Sequence, residues 1–109
     1  MAATPEGRVK ARIKKYLQDH PAKPWYFMPV PGGYGTNGVP DFIICYRGKF
    51  LAVETKAPGK ERNTTALQDM QIDRIRRAKG SAIVTSTLEE LKLVLSLLDK
   101  ELDASPSTI

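Results

Sequence analysis

Between residues 6 and 19 the apolar side chains Val9, Ile13, Tyr16 and Leu17 recur at helical spacing, with lysines and arginines between them. This periodicity predicts an amphipathic helix. Thr4 is placed to cap it, Pro5 suits its first position, Glu6 suits its first turn, and His20-Pro21 ends it. Residues 25–30 predict a short strand, which Pro29 and Pro31 confine to a sheet edge. A glycine-rich loop over 31–38 follows. Two β-rich runs, 41–46 and 49–56, flank Arg47-Gly48, a hairpin signal, and should pair antiparallel. Residues 57–65 read as a loop. Thr64 or Thr65 can cap a second helix carrying Leu67, Met70, Arg74, Ile75 and Ala78, which Gly80 closes. Residues 81–86 predict a further strand, and Thr87-Leu88-Glu89-Glu90 resembles a capping box that starts a last helix reaching about Leu102.

The order of elements points to an α/β fold, a mixed central sheet flanked by helices, in a single domain over 1–103 with a tail at 104–109. Phe42, Ile44 and Tyr46 alternate with Ile43 and Cys45, so both sheet faces should be covered and Cys45 should be a small core residue. Core packing or edge covering is the expectation for Trp25, Tyr26 and Tyr34, with stacking on bases as the alternative.

Composition narrows the function classes. With 109 residues, 41% apolar and 27% charged, the chain is expected to be one soluble globular domain. No apolar run approaches the ~20 residues of a membrane span, and residues 1–7 do not read as a secretory signal. A lone cysteine suits a reducing cytoplasm, and with only His20 beside it a zinc site of the Cys/His type is excluded. Seventeen basic against twelve acidic residues leave a net charge of +5. The excess is clustered at Lys10, Arg12, Lys14 and Lys15, at Lys56, Lys60 and Arg62, and at Arg74, Arg76, Arg77 and Lys79, which favours a polyanionic partner.

Asp41, Glu54 and Lys56 stand out against the apolar strands, because buried charge without partners costs several kcal/mol. If Arg47-Gly48 is the turn, Tyr46 pairs with Lys49 and Asp41 lies opposite Glu54. If Gly48-Lys49 is the turn, Asp41 faces Lys56. In either register the two-residue period puts all three on one sheet face. Two carboxylates ~4 Å apart repel by ~4 kcal/mol at an effective dielectric of about 20, so positive charge must compensate. Lys56 supplies one charge. An all-oxygen site of this kind suits Mg²⁺ or Mn²⁺, held by Asp41 and Glu54 and joined by the Thr55 carbonyl. The chemistry that follows is hydrolysis of a phosphodiester, with Lys56 orienting or deprotonating water or balancing transition-state charge.

Val39-Pro40-Asp41 followed, after twelve residues, by Glu54-Thr55-Lys56 resembles the PD-(D/E)xK nuclease motif. The extended run Gly38-Val39-Pro40-Asp41, Glu54-Thr55-Lys56-Ala57-Pro58-Gly59 and Thr65-Ala66-Leu67-Gln68 resembles the VRR-NUC branch, particularly its stand-alone phage and bacterial forms. That resemblance implies a restriction-endonuclease-like αβββαβ core, dependence on Mg²⁺ or Mn²⁺, and cleavage of DNA. It also implies that Glu6 and Gln68 complete the catalytic set with Asp41, Glu54 and Lys56, although Gln71 competes with Gln68. Stand-alone members resemble Holliday-junction resolvases, which implies a branched substrate and a dimer.

The last helix supports a dimer independently. Leu91, Val94, Leu95, Leu98 and Leu102 make one face, while Leu88, Leu93 and Leu97 spread apolar surface around the circumference, so a partner subunit could cover it. Lys10, Lys14, Tyr34, Lys60, Arg62, Arg74 and Arg77 are the expected DNA-binding residues. The glycine-rich loop lacks the Gly-Lys-Ser/Thr ending of a nucleotide site and fits a substrate-contacting loop instead. The reading is therefore a structure-selective endonuclease. A less selective duplex-nicking nuclease and a non-catalytic basic DNA-binding module are the alternatives.

Overall fold

The computed structural model describes residues 4–30 and 37–104, and Tyr34 of the glycine-rich loop lies outside them. The elements run α1 (Pro5–Asp19), β1 (Trp25–Phe27), β2 (Phe42–Tyr46), β3 (Lys49–Thr55), α2 (Ala66–Arg77), β4 (Ser81–Thr85) and α3 (Leu88–Ala104). They build one sheet in the order β1-β2-β3-β4, antiparallel through β3, with β4 parallel to β3 after the α2 crossover. This is the αβββαβ order with a further helix.

The register is set at the hairpin. Arg47 and Gly48 both have positive φ, 50° and 84°, as a two-residue type I′ turn requires. Tyr46 therefore pairs with Lys49 and Phe42 with Val53. The Arg47 guanidinium also ties the hairpin to α3, donating to Asp99 at 2.8 Å and Asp103 at 2.9 Å. Tyr46 adds its hydroxyl to Asp99 at 2.9 Å. Burial, reinforced by Asp99, pushes the Tyr46 phenol up to about 12.

One sheet face carries the main core. Phe42, Ile44 and Tyr46 of β2 and Leu51 and Val53 of β3 meet Val9, Ile13 and Leu17 of α1 and Leu91, Leu95 and Leu98 of α3. Each such aliphatic side chain contributes ~1.5–3 kcal/mol relative to exposure. The Thr4 hydroxyl accepts from Gly7 N at 3.0 Å and fixes where α1 begins, with Pro5 in the first turn. Thr87 caps α3 through Glu90 N at 3.3 Å.

On the other face α2 lies over β3 and β4, where Ile72 packs on Ala52 and Ala82. Its start is a capping box: Thr65 Oγ1 accepts from Gln68 N at 3.1 Å, and Gln68 Oε1 accepts from Thr65 N at 2.9 Å. Its end is a Schellman turn, with Gly80 N donating to Ile75 O and Lys79 N to Arg76 O, both at 3.0 Å. Lys79 (φ 73°), not Gly80, takes the left-handed position. Gly80 is closely packed instead, since a Cβ there would lie 2.9 Å from the Phe50 ring, which would have to shift.

Several expectations are corrected. Cys45 is exposed, because α2 does not reach the β1–β2 half of this face. For the same reason Trp25 is 62% exposed, so it is neither core nor cover. On α2 the buried residues are Gln71 and Ile72, while Leu67 and Met70 are exposed, a division the sequence did not predict. β1 ends at Phe27, and Asp41 forms a bend before β2. Among the described residues no helix is long and apolar enough to cross a membrane.

Candidate active site

Asp41 stands one residue before β2, and continuing the β2–β3 register by one step places it across from Glu54. Its carboxylate extends the ladder where the Cα pairing stops: Oδ2 accepts from Thr55 N at 2.9 Å and from Thr55 Oγ1 at 2.5 Å. Pro40 before it is fully buried and fixes the approach of the loop. Gly38 fixes it further back. With φ at 80°, it passes so close to α2 that a Cβ would lie 2.5 Å from the Leu67 carbonyl carbon and 2.9 Å from Gln68 N. The segment leading into Asp41 is thereby packed against the first turn of α2.

Glu54 and Lys56 sit at the C-terminal end of β3, held by the parallel pairing with β4 and by Lys56 N donating to Thr85 O at 3.0 Å. The Glu54 side chain is buried, 3% exposed. Its Oε2 accepts from Gln68 Nε2 at 3.0 Å and lies 3.5 Å from Lys56 Nζ. Lys56 Nζ also donates to Gln68 Oε1 at 3.1 Å. Gln68 therefore offers its amide oxygen to the cation and its amide nitrogen to the carboxylate. The structure brings Gln68, not Gln71, into the site, since Gln71 is buried one turn later on α2 and its Nε2 has no hydrogen-bond partner.

The other carboxylate oxygen, Glu54 Oε1, is buried with no hydrogen-bond partner. Burial, and then the negative charge of Asp41, push the Glu54 carboxyl up to about 7 against the opposing pull of Lys56. A buried carboxylate oxygen without a partner, on a group that feels the charge of a second carboxylate, is a position that a cation would satisfy. The donors are oxygens, without imidazole or thiolate, so the set fits Mg²⁺ or Mn²⁺. Among the described residues no three His, Cys, Asp or Glu side chains come together.

Glu6 reaches this region through an intermediary. Lys10, one helical turn further along α1, lies 3.3 Å from Glu6 Oε2 and 3.5 Å from Asp41 Oδ1. Burial alone would lower the Lys10 pKa, but Asp41 and Glu6 raise it overall. Lys10, expected from sequence to bind DNA, is here paired with both carboxylates. The four-residue spacing from Glu6 was the available signal that the two share a helix face.

The remaining basic residues are spread out. Lys14 is exposed on α1, and Lys60 and Arg62 are exposed on the loop after β3. Glu61 anchors that loop beside the strand ends by accepting from Ser86 Oγ and, at 3.2 Å, from Gly59 N. Arg74 is exposed on α2, and Arg77 is paired with Asp73 at 2.9 Å.

With the geometry in place, similarity to known proteins defines the class of fold. A solved structure described as a VRR_NUC domain superposes with a TM-score of 0.66, covering 86% of this chain and 97% of that chain at 24% identity. The chain thus has a restriction-endonuclease-like VRR-NUC fold. No family model matches the chain, and no curated protein does.

Proposed function

We propose that this protein is a Mg²⁺- or Mn²⁺-dependent endonuclease that hydrolyses DNA phosphodiesters. The observation that carries the reading is Glu54 Oε1, buried and unpartnered on a carboxyl that the negative charge of Asp41 also pushes up. Asp41 and Glu54 would hold the ion, with the Thr55 carbonyl as a further oxygen. When bound, the ion supplies Lewis acidity to the phosphate and to water. Thr55 orients Asp41 through two hydrogen bonds, and Gln68 orients Glu54 through one. Lys56 faces acceptor oxygens on both Glu54 and Gln68. Its role is therefore to donate, to a water or to a phosphate oxygen as negative charge builds there. Glu6, joined to Asp41 through Lys10, lies at the margin of the set.

DNA fits as substrate because the chain carries +5 and the loop bearing Lys60 and Arg62 is anchored next to the β3 and β4 ends. Binding should weaken with salt, with a log–log slope of about −4 to −5 if some five phosphates are neutralised. A binding module that does no chemistry is disfavoured by the same two carboxylates, which repel phosphate unless a cation bridges them. Selectivity for four-way junctions is the finer part of the proposal. It is tested by incubating labelled junction and matched linear duplex with Mg²⁺, Mn²⁺ or EDTA. Preferential cutting of the junction is expected, and equal cutting of both would replace this reading by the duplex-nicking one.

A further inference from the structure

The four carboxylate oxygens of Asp41 and Glu54 are not equally available. Asp41 Oδ2 is held by Thr55 N and Oγ1, and Glu54 Oε2 by Gln68 Nε2 and Lys56 Nζ. Glu54 Oε1 has no hydrogen-bond partner. The remaining oxygen, Asp41 Oδ1, lies 3.5 Å from Lys10 Nζ, and the same ammonium lies 3.3 Å from Glu6 Oε2. A divalent ion shared by the two carboxylates therefore has Glu54 Oε1 open to it and finds Asp41 Oδ1 covered by Lys10.

An ammonium and a divalent ion do not sit easily on one carboxylate oxygen, because they repel twice as strongly as two unit charges at the same distance. The Lys10–Asp41 pair is weakly held by comparison. Its side chains are 32% and 18% exposed, and a pair open to solvent is screened and contributes little. When an ion takes Oδ1, the ammonium is the group that moves.

Glu6 limits where it goes. It stands one turn before Lys10 in the first turn of α1, with its carboxylate 39% exposed, and so retains the ammonium at the rim of the site. Lys14, one turn beyond Lys10 on the same helix face, is exposed. A DNA strand with one phosphate at the carboxylates and its backbone running past α1 meets Lys10 and Lys14 in turn.

We infer that Lys10 is a substrate-positioning residue with two partners in succession: it covers Asp41 Oδ1 until a divalent ion takes that oxygen, and then contacts a DNA phosphate from the rim, where Glu6 retains it. Ion binding and DNA binding are thereby coupled through one side chain. Lys56 differs, since its partners Glu54 Oε2 and Gln68 Oε1 are not the oxygens left for the ion. The role of Lys10 rests on the metal-dependent reading proposed above.

Mn²⁺ binding, followed by electron paramagnetic resonance, and DNA binding, followed by fluorescence anisotropy of a labelled duplex, test it on the whole chain. Lys56→Ala serves as the background for both, so that the DNA stays uncut. In EDTA, adding Lys10→Met to this background should change DNA affinity by no more than about threefold. In saturating Mn²⁺ the background should gain about tenfold more affinity than the Lys10→Met form does. Its log–log salt slope should then be steeper by about 0.9, one phosphate contact, with no such difference in EDTA. Lys10→Arg, which keeps the charge, should restore both effects. Differences between background and Lys10→Met that are the same in EDTA and in Mn²⁺, with Mn²⁺ seen to bind, would overturn the inference and leave the metal-dependent reading standing. A protein that binds no Mn²⁺ would overturn both.

Discussion

Gln68 Nε2 donates to Glu54 Oε2 at 3.0 Å, while the same side chain's Oε1 accepts from Thr65 N at 2.9 Å as part of the helix cap. One residue thus links the start of α2 to the acidic site, and the two roles can be separated. Gln68→Glu keeps the capping box, for which glutamate is equally suited, but replaces the donor facing Glu54 with a second carboxylate. The new carboxylate beside buried Glu54 should cost up to about 4 kcal/mol of stability where both are ionised, while DNA cleavage should fall by about 100-fold. Cleavage within threefold of wild type would mean that the Gln68–Glu54 contact has no part in the chemistry.

The raised Glu54 carboxyl gives a signed dependence of stability on pH. Folding holds this group protonated up to about 7, whereas in the unfolded chain it ionises near its ordinary value of ~4.3. The folded state therefore binds the extra proton between those limits, and its stability falls as pH rises through them. In EDTA, the unfolding free energy of wild type relative to Glu54→Gln should fall by on the order of 2–3 kcal/mol from pH 4 to pH 8. Urea denaturation at several pH values measures this. A flat or rising difference would show that Glu54 is ionised in the folded protein at acidic pH.

Gly38 predicts a loss that is structural first and functional as a consequence. Alanine there would meet the Leu67 carbonyl carbon at 2.5 Å with φ at 80°, so either the Asp41 segment or the first turn of α2 must shift. Gly38→Ala should cost about 1–3 kcal/mol in denaturant unfolding. It should also weaken Mn²⁺ binding, because the shift separates Asp41 from Glu54.

Lys10 competes with any cation for Asp41, its ammonium lying 3.5 Å from Oδ1. Lys10→Met should tighten Mn²⁺ binding several-fold, up to roughly tenfold, as followed by electron paramagnetic resonance of the free ion. Unchanged or weaker binding would show that Lys10 assists the site rather than opposing it.

Which parts of this molecule could be read from sequence follows from the range of the interactions involved. Local signals gave the elements: Thr4 and Thr65 cap the helices, and Arg47-Gly48 turns the hairpin in the register that sets Asp41 against Glu54. Because side-chain alternation propagates along paired strands, a two-residue turn was enough to bring distant carboxylates together. Tertiary coverage left no such trace. Cys45 and Trp25 read as interior from their apolar runs, yet they are exposed because α2 lies over β3 and β4 rather than over the whole face. At the end of α2, Lys79 rather than Gly80 takes the left-handed position, and a Cβ at Gly80 would lie 2.9 Å from the Phe50 ring.

The central claim is that Asp41, Glu54 and Lys56 form a metal-dependent phosphodiesterase. Its most direct test is single-turnover cleavage of labelled DNA by wild type, Asp41→Asn, Glu54→Gln and Lys56→Ala, each shown to be folded and to bind the DNA. Wild type should cut in Mn²⁺ or Mg²⁺ and stop in EDTA, and each variant should bind without cutting. Cleavage by any variant at the wild-type rate, or none by folded wild type with either metal, would contradict the account.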